Sequence, residues 1–344
     1  MLRSQIKSLL LVEEVVSKSG TQKHSETTTT QRESVCPSKG MHLMDNGHKP
    51  VLLREMIEAL QPSSGKTYVD ATFGGGGYSE AILKAADCKV IAIDRDPDAI
   101  ERSSNLSKNF PNNFTIVQGC FGNITQLLNS INIEKIDGIV FDFGVSSYQI
   151  DQAARGFSFR FDGPLDMRMS NEGISAADVI NTFTQEQIES IIKVYGEEKK
   201  SRAIAKAVVE SRRNAPITTT LQLAELIRGI VKKKDGLDPA TLTFQGLRIY
   251  VNNELLEIEN TLKSCTDLLA TQGRLVAVTF HALEDRLVKR FIKNGMFEGE
   301  PERDFFGNYS VPFKTIGKLI VPDANEIKIN NRARSAKLRI AEKM

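Results

Sequence analysis

The stretch Asp70-Ala71-Thr72-Phe73-Gly74-Gly75-Gly76-Gly77-Tyr78-Ser79 constrains this chain more than any other. Four consecutive glycines follow the short apolar run Thr67-Tyr68-Val69-Asp70 and precede a helical pattern over Ser79–Ala86. Glycine adopts φ above zero without a Cβ penalty and lets the backbone approach a ligand closely. A strand that ends in a carboxylate, a glycine-rich turn and then a helix is the opening unit of a ligand-binding α/β fold.

The rest of the first half continues the alternation. Lys89–Asp94 reads as a second strand, a helix starts at Pro97, and Phe114–Val117 and Gly138–Asp142 read as further strands. Strand and helix alternating at this spacing predict a parallel, doubly wound, Rossmann-like sheet of the α/β class. After Asp142 the strand signal stops. Gln185–Tyr195, Ser201–Arg213, Thr220–Lys232 and Pro239–Ser264 all carry helical apolar spacing, and sheet character returns only at Gly273–Phe280. The expected organisation is an α/β core over 46–147 and 253–344, an inserted α-helical domain over 148–252, and an N-terminal extension over 1–45.

The glycine loop does not match the dinucleotide fingerprint. G-x-G-x-x-G started at Gly74 places Ser79 at its third small position, and started at Gly75 places Glu80 there. Asp70 would also repel a pyrophosphate. It suits the ammonium group of S-adenosylmethionine, a cofactor without phosphate. Asp94 ends the second strand about 20 residues after the loop, where an acid reaches ribose hydroxyls in doubly wound folds. Asp70, Gly74 and Asp94 are therefore candidate cofactor residues. Asp142 ends the fourth strand, on the edge where open α/β sheets do their chemistry, and is the candidate catalytic carboxylate.

Composition excludes little by itself. The 344 residues carry a formal net charge of +2, and no run of about 18 apolar residues predicts a membrane span. Basic residues do cluster locally. Lys199, Lys200, Arg202, Lys206, Arg212 and Arg213 lie mid-chain, and Lys328, Arg332, Arg334, Lys337, Arg339 and Lys343 lie near the C-terminus. Such clusters are solvated helix faces or phosphate contacts. The four cysteines form neither a Cys-x-x-Cys pair nor a His/Cys ligand cluster, so no structural zinc is expected. Residues 1–45 are polar after Val16, and Met1–Leu11 reads as a short basic amphipathic helix of the mitochondrial import type. Glu13, Glu14, Glu26 and Glu33 run against that reading. A mitochondrial matrix location is favoured over the cytoplasm.

From His48 onward the chain resembles the ribosomal RNA small subunit methyltransferase H family (the MraW type), including its mitochondrial members. The resemblance is carried by His48–Leu53, Asp70–Ser79, Ala92–Pro97, Phe141–Gln149, Arg155–Phe159, Asp162–Met169, Tyr195–Glu198, Thr243–Gln245, Leu247–Ile249, Phe280–His281, Leu283–Arg286 and Arg332–Arg339. It implies a methyltransferase core that binds S-adenosylmethionine and methylates N4 of a cytidine in the decoding region of 16S-type rRNA. The substrate is either rRNA or the assembling small subunit, and the enzyme a monomer or homodimer. By motif, family cofactor contacts fall on Gly76, Gly77, Tyr78, Asp94, Phe121, Asp142 and Gln149. Departures from the family pattern include Tyr78 for a His, Phe143 for a Leu, Asp238 and Leu242 for a His and an Arg, Ala282 for a Ser, and Asn331 for a Pro.

The chemistry agrees with nitrogen as the target. The exocyclic amine of cytosine is a poor nucleophile because its lone pair is delocalised into the ring. A carboxylate such as Asp142 localises that pair by accepting a hydrogen bond and then takes the proton. Carbon-5 methylation needs an activated cysteine, and no base flanks Cys120. A target base must leave its stack to reach a buried methyl donor, so Phe157 and Phe159 are candidate stacking residues. Arg168 either fixes the turn after Gly163-Pro164 or shapes the cytidine pocket. His281 either caps a helix or lies near the base. Arg202, Arg332, Arg334 and Lys337 are the candidate phosphate contacts, with Arg212 beside them.

Overall fold

A computed structural model describes residues 50–232, 236–301, 304–306 and 309–344. The N-terminal extension, and with it the import reading of Met1–Leu11, lies outside the described residues. Lys49–Met344 form one compact unit.

Seven strands form a single sheet in the order β3-β2-β1-β4-β5-β7-β6. The first half supplies α1 (Leu53–Leu60), β1 (Thr67–Asp70), α2 (Gly77–Ala85), β2 (Lys89–Asp94), α3 (Pro97–Arg102), α4 (Ser104–Asn109), β3 (Phe114–Gln118), α5 (Ile124–Asn129) and β4 (Ile136–Asp142). The pairs β1–β2, β2–β3 and β1–β4 are parallel. These strands read as near-continuous apolar runs because both faces are covered by helices. Val69, Ile93, Ile139, Val140 and Phe141 are all fully buried.

The chain runs outward from β1 through β2 to β3, then returns to place β4 on the opposite side of β1. Strand order therefore reverses between β1 and β4, and a crevice opens there at the carboxyl ends of the strands. Asp70 and Asp142 are the last residues of those two strands.

Between β4 and β5 (Leu269–Thr279) the chain is helical: α6 (Ser147–Asp151), α7 (Ala176–Thr182), α8 (Gln185–Val194), α9 (Ser201–Ser211), α10 (Thr220–Arg228), α11 (Thr241–Val251) and α12 (Glu254–Leu268). Capping boxes begin α6, α7, α8 and α10 through Ser146, Ser175, Thr184 and Thr219. The apolar spacing over Pro239–Ser264 predicts one helix, but two form. Asn253 turns left-handed at φ 53°, and the buried Asn252 side chain latches the carbonyl of Met167 at 2.7 Å and the N–H of Met169 at 2.8 Å. A break there places this latch where a continuous helix would not, which periodicity does not register.

After β5, α13 (Ala282–Asn294) crosses back along the sheet. β6 (Phe313–Thr315), α14 (Ala324–Ile329) and β7 (Lys337–Lys343) follow. The basic C-terminal stretch is thus partly a strand, since β7 pairs antiparallel with both β5 and β6. Leu338 and Ile340 are buried in it.

Candidate active site

The glycine loop is built around two carboxylates. Asp70 is wholly buried and accepts from the Ser79 hydroxyl at 2.7 Å and from the Thr72 N–H at 3.2 Å. Burial pushes its carboxyl up to about 6 despite those donors. Asp94 accepts from the Gly74 N–H at 2.7 Å and from the Asp96 N–H at 2.9 Å, and burial raises it as well. The loop thus grips the end of β2 through backbone amides. Gly76 stands at φ 80°, and a Cβ on it would lie 2.7 Å from the Phe73 ring. A Cβ on Gly77, the first residue of α2, would lie 2.2 Å from Pro50. Tyr78 is the second residue of α2; its ring is buried, its hydroxyl donates to the Val51 carbonyl, and the charges of Asp142 and Asp70 act on it.

Asp142 is held from behind, its N–H donating to the Thr72 hydroxyl oxygen at 2.7 Å. One of its carboxylate oxygens is buried without a hydrogen-bond partner. Burial, with Asp70 and Glu284 adding repulsion, pushes this carboxyl up to about 8. Around the end of β4, Phe141 stacks on Phe143 at 5.0 Å, and Phe121 lies 5.8 Å from Phe143.

A buried charged network backs the end of β4. Glu284 accepts from the N–H groups of Phe280 at 2.7 Å and His281 at 3.2 Å. Its other oxygen lies 3.0 Å from His281 Nε2. Arg248 clasps Glu254 with two bonds of 2.8 and 3.0 Å. Burial pushes the Glu284 carboxyl up, but His281, Arg248 and the Phe280 N–H together hold it below its ordinary range. Glu254, His281 and Glu284 bring possible metal-ligand atoms within 4.8 Å of one another. Both Glu254 oxygens are already committed to the Arg248 guanidinium, so this trio reads as an ion-pair network with an internal cation. His281 is the N-cap of α13, and its Nδ1 faces the Glu284 N–H.

Gln149 and Arg155 converge on Asp96. The Gln149 amide donates to Asp96 at 2.7 Å while its oxygen accepts from the Ser146 N–H. Arg155 bonds Asp96 and Asp98 and also reaches the carbonyls of Arg168 and Met169. The loop after α6 is thereby fastened beside the cofactor crevice.

The remaining sequence candidates divide. Phe157 is half-buried, with the Arg155 guanidinium 5.9 Å from its ring centre. Phe159 packs edge-on against Phe244 at 4.8 Å beneath Arg228. Arg168 forms a two-pronged pair with Asp166 and also reaches the carbonyls of Asn171 and Gly173, so it fixes the turn. Arg212 is likewise spent on the carbonyls of Ile180 and Phe183. Arg332 pairs with Asp151 at 2.5 Å, and Lys337 with Asp285 at 3.3 Å. Arg202 and Arg334 are exposed. Sequence reasoning did not single out Thr72, Arg155, Arg248 or Glu254. Thr72, Arg155 and Arg248 lie within blocks that carry the family resemblance, whereas Glu254 lies outside them.

Comparison with known proteins accords with this geometry. Residues 45–344 match the model of the MraW methylase family. The ribosomal RNA small subunit methyltransferase H of Rhodospirillum rubrum is 49% identical over 306 residues, which span 86% of this chain and 94% of that one. The protein of the same name from Flavobacterium johnsoniae is 46% identical over 300 residues, 86% and 98% of the two chains. Among solved structures, an rRNA methylase from Streptococcus thermophilus is similar at 13% identity and a TM-score of 0.37, covering 85% of this chain and 93% of that one. That distant likeness adds nothing to the assignment, which rests on the family model and the sequence relatives. The chain belongs to the MraW methylase family.

Proposed function

We propose that Asp142 accepts the proton from the exocyclic amine of a cytidine in the decoding region of small-subunit rRNA as N4 is methylated. The observation that carries this reading is the buried, unpartnered oxygen of Asp142 at the point where strand order reverses. A hydrogen-bond acceptor with no partner inside the protein is costly unless a ligand donor completes it.

The crevice residues fit S-adenosylmethionine. Asp70 and Asp142 place two buried carboxyls where a cationic ligand is favoured and a pyrophosphate is not. Asp94 keeps acceptor capacity for hydroxyls beyond the two amides it already holds. The absence of Cβ at Gly75, Gly76 and Gly77 lets Tyr148, Phe73 and Pro50 pack directly on the loop and fix its course, and Phe121 supplies an apolar face. When bound, the cofactor supplies an electrophilic methyl group on a cationic sulfur. Asp142 orients the amine and localises its lone pair, then holds the proton that leaves nitrogen. Thr72 fixes the backbone of Asp142, so the acceptor is aimed before substrate arrives.

A nucleophilic carbon-5 route has no support in the thiols. Burial raises the Cys120 thiol above its ordinary value, which disfavours the thiolate such a route requires. Phe157, His281, Arg202, Arg332, Arg334 and Lys337 remain the proposed RNA contacts. Of these, Arg202 and Arg334 are the most accessible.

The test is nucleoside mass spectrometry on undermodified small-subunit rRNA, free and assembled, after incubation with protein and S-adenosylmethionine. N4-methylcytidine should appear with the wild type. With Asp142→Asn it should fall by at least about 100-fold, the scale of a lost general base, while S-adenosylhomocysteine still binds. No N4-methylcytidine on either RNA form, with cofactor binding intact, would sink the reading.

A further inference from the structure

α13 begins beside the catalytic edge, with His281 capping it and Glu284 in its first turn. Its buried side carries Leu283, Leu287, Val288, Phe291 and Ile292. Its exposed positions Ala282, Arg286, Lys289 and Lys293 fall at i, i+4, i+7 and i+11. They form a single stripe along the helix, and beyond Ala282 every residue of it is basic.

Only the first of these cations has a carboxylate partner, since Arg286 lies 3.2 Å from Glu197 in an exposed pair. Lys289 and Lys293 form no ion pair among the described residues. From Glu284 to Lys293 the helix rises on the order of 14 Å, at 1.5 Å per residue. The stripe therefore leads away from the catalytic pocket.

It ends in a cleft of about 150 Å³. Lys289, Ile292 and Lys293 of α13 line it together with Ile316, Lys318 and Leu319 of the segment after β6. Lys318 is exposed and has no ion-pair partner among the described residues. Arg339, also at the cleft, is already held by Asp285. Unpaired ammonium groups and aliphatic side chains lining one cleft select an amphiphilic anion. An unstacked nucleotide meets that description, with phosphate on the lysines and sugar or base on the aliphatic side chains.

We propose that the exposed face of α13 and the Lys318 cleft form a track for single-stranded RNA, holding nucleotides that flank the target while it occupies the Asp142 pocket. This rests on the RNA-methylation reading above and names a substrate-binding surface remote from the chemistry.

The test is the triple variant Lys289→Gln, Lys293→Gln, Lys318→Gln in the full chain. Its affinity for a fluorescein-labelled small-subunit rRNA fragment is read by anisotropy between about 50 and 200 mM salt. The expected result is at least about a ten-fold loss of RNA affinity at the higher salt. The log–log salt slope should be shallower by about 2, as for three lost single-strand phosphate contacts. S-adenosylhomocysteine affinity should be unchanged, and methylation should show a raised KM for RNA with kcat retained. The triple Lys→Arg variant should restore binding. Wild-type RNA affinity and salt slope in the Gln variant would overturn the track. A wild-type protein that makes no N4-methylcytidine would instead overturn the methylation reading, and the binding comparison would still decide the track.

Discussion

Arg155 Nη1 meets both carboxylate oxygens of Asp96, at 3.1 and 3.0 Å, and its other terminal nitrogen bonds the carbonyls of Arg168 and Met169. One guanidinium thus joins the N-cap residue of α3 to the turn between α6 and α7. The pair is nearly closed to solvent, with side-chain exposures of 15% and 2%. Removing one partner of such a pair leaves an uncompensated buried charge, at a cost of about 3–5 kcal/mol. Arg155→Ala should lower stability by that order in denaturant unfolding. It should also weaken S-adenosylhomocysteine binding, because Asp96 and Gln149 lose their shared anchor. Unfolding within about 0.5 kcal/mol of wild type would show that the pair is not a fastener.

The raised Asp142 carboxyl sets a pH dependence for turnover. The residue must be ionised to take a proton, and in the free enzyme its pKa stands near 8. With the chemical step limiting, kcat/KM should climb with pH and level off above about 8. A flat profile between pH 6 and 9 in rapid-quench methylation assays, spanning that value, would rule out this assignment.

The same group predicts a stability effect of opposite sense. A carboxyl near 8 in the folded chain and near its ordinary 3.8 when unfolded binds a proton only in the folded state between those values. Its contribution to stability is therefore full below about 4, declines as pH rises to about 8, and is flat beyond. Asp142→Asn abolishes that decline. The variant should match wild type near pH 4 and melt at a higher temperature by pH 8–9, the gap widening steadily through the window set by the raised carboxyl. Calorimetry at several pH values reads this directly. A variant less stable than wild type at pH 9, above that window, would refute the buried-charge account.

Gly76 combines positive φ with a neighbour that leaves no room for Cβ. Gly76→Ala should destabilise the fold by about 1–3 kcal/mol, the scale of a strained left-handed residue. It should also reduce cofactor affinity, since relief requires the Phe73 ring or the loop to move. Gly65 provides the control, because it too has positive φ but nothing lies within 4 Å of where its Cβ would stand. Gly65→Ala should strain the backbone yet leave cofactor affinity at wild type, as isothermal titration would show.

What could be read from the sequence was what is local. Thr67–Asp70, the four glycines and Asp94 announce the loop because strand, turn and acid lie within one short window. Asp142 is legible because it ends an apolar run. The bond from the Tyr78 hydroxyl to the Val51 carbonyl is not, since its two partners lie in separate elements. Arg155–Asp96 and Arg248–Glu254–Glu284 escape for a different reason. Their members come from separate elements, and an ion pair across a fold leaves no periodicity in either segment. Lys337 and Arg339 looked like part of a free basic tail because charge along β7 alternates with Leu338 and Ile340, and composition registers the charges before the alternation.

β4 and β5 lie side by side in the sheet, yet every helix from α6 to α12 is threaded between them. Closing a longer loop adds little to the entropic cost of pairing its ends, so the detour is tolerated at equilibrium. Its effect falls on timing. Contacts between residues far apart in sequence form slowly, and on an emerging polypeptide β5 cannot meet β4 until the whole helical segment has been synthesised. The strand ends that carry Asp142 and the Phe280–Glu284 turn are thus brought together late, which makes the crevice at Asp142 a reporter of completed folding.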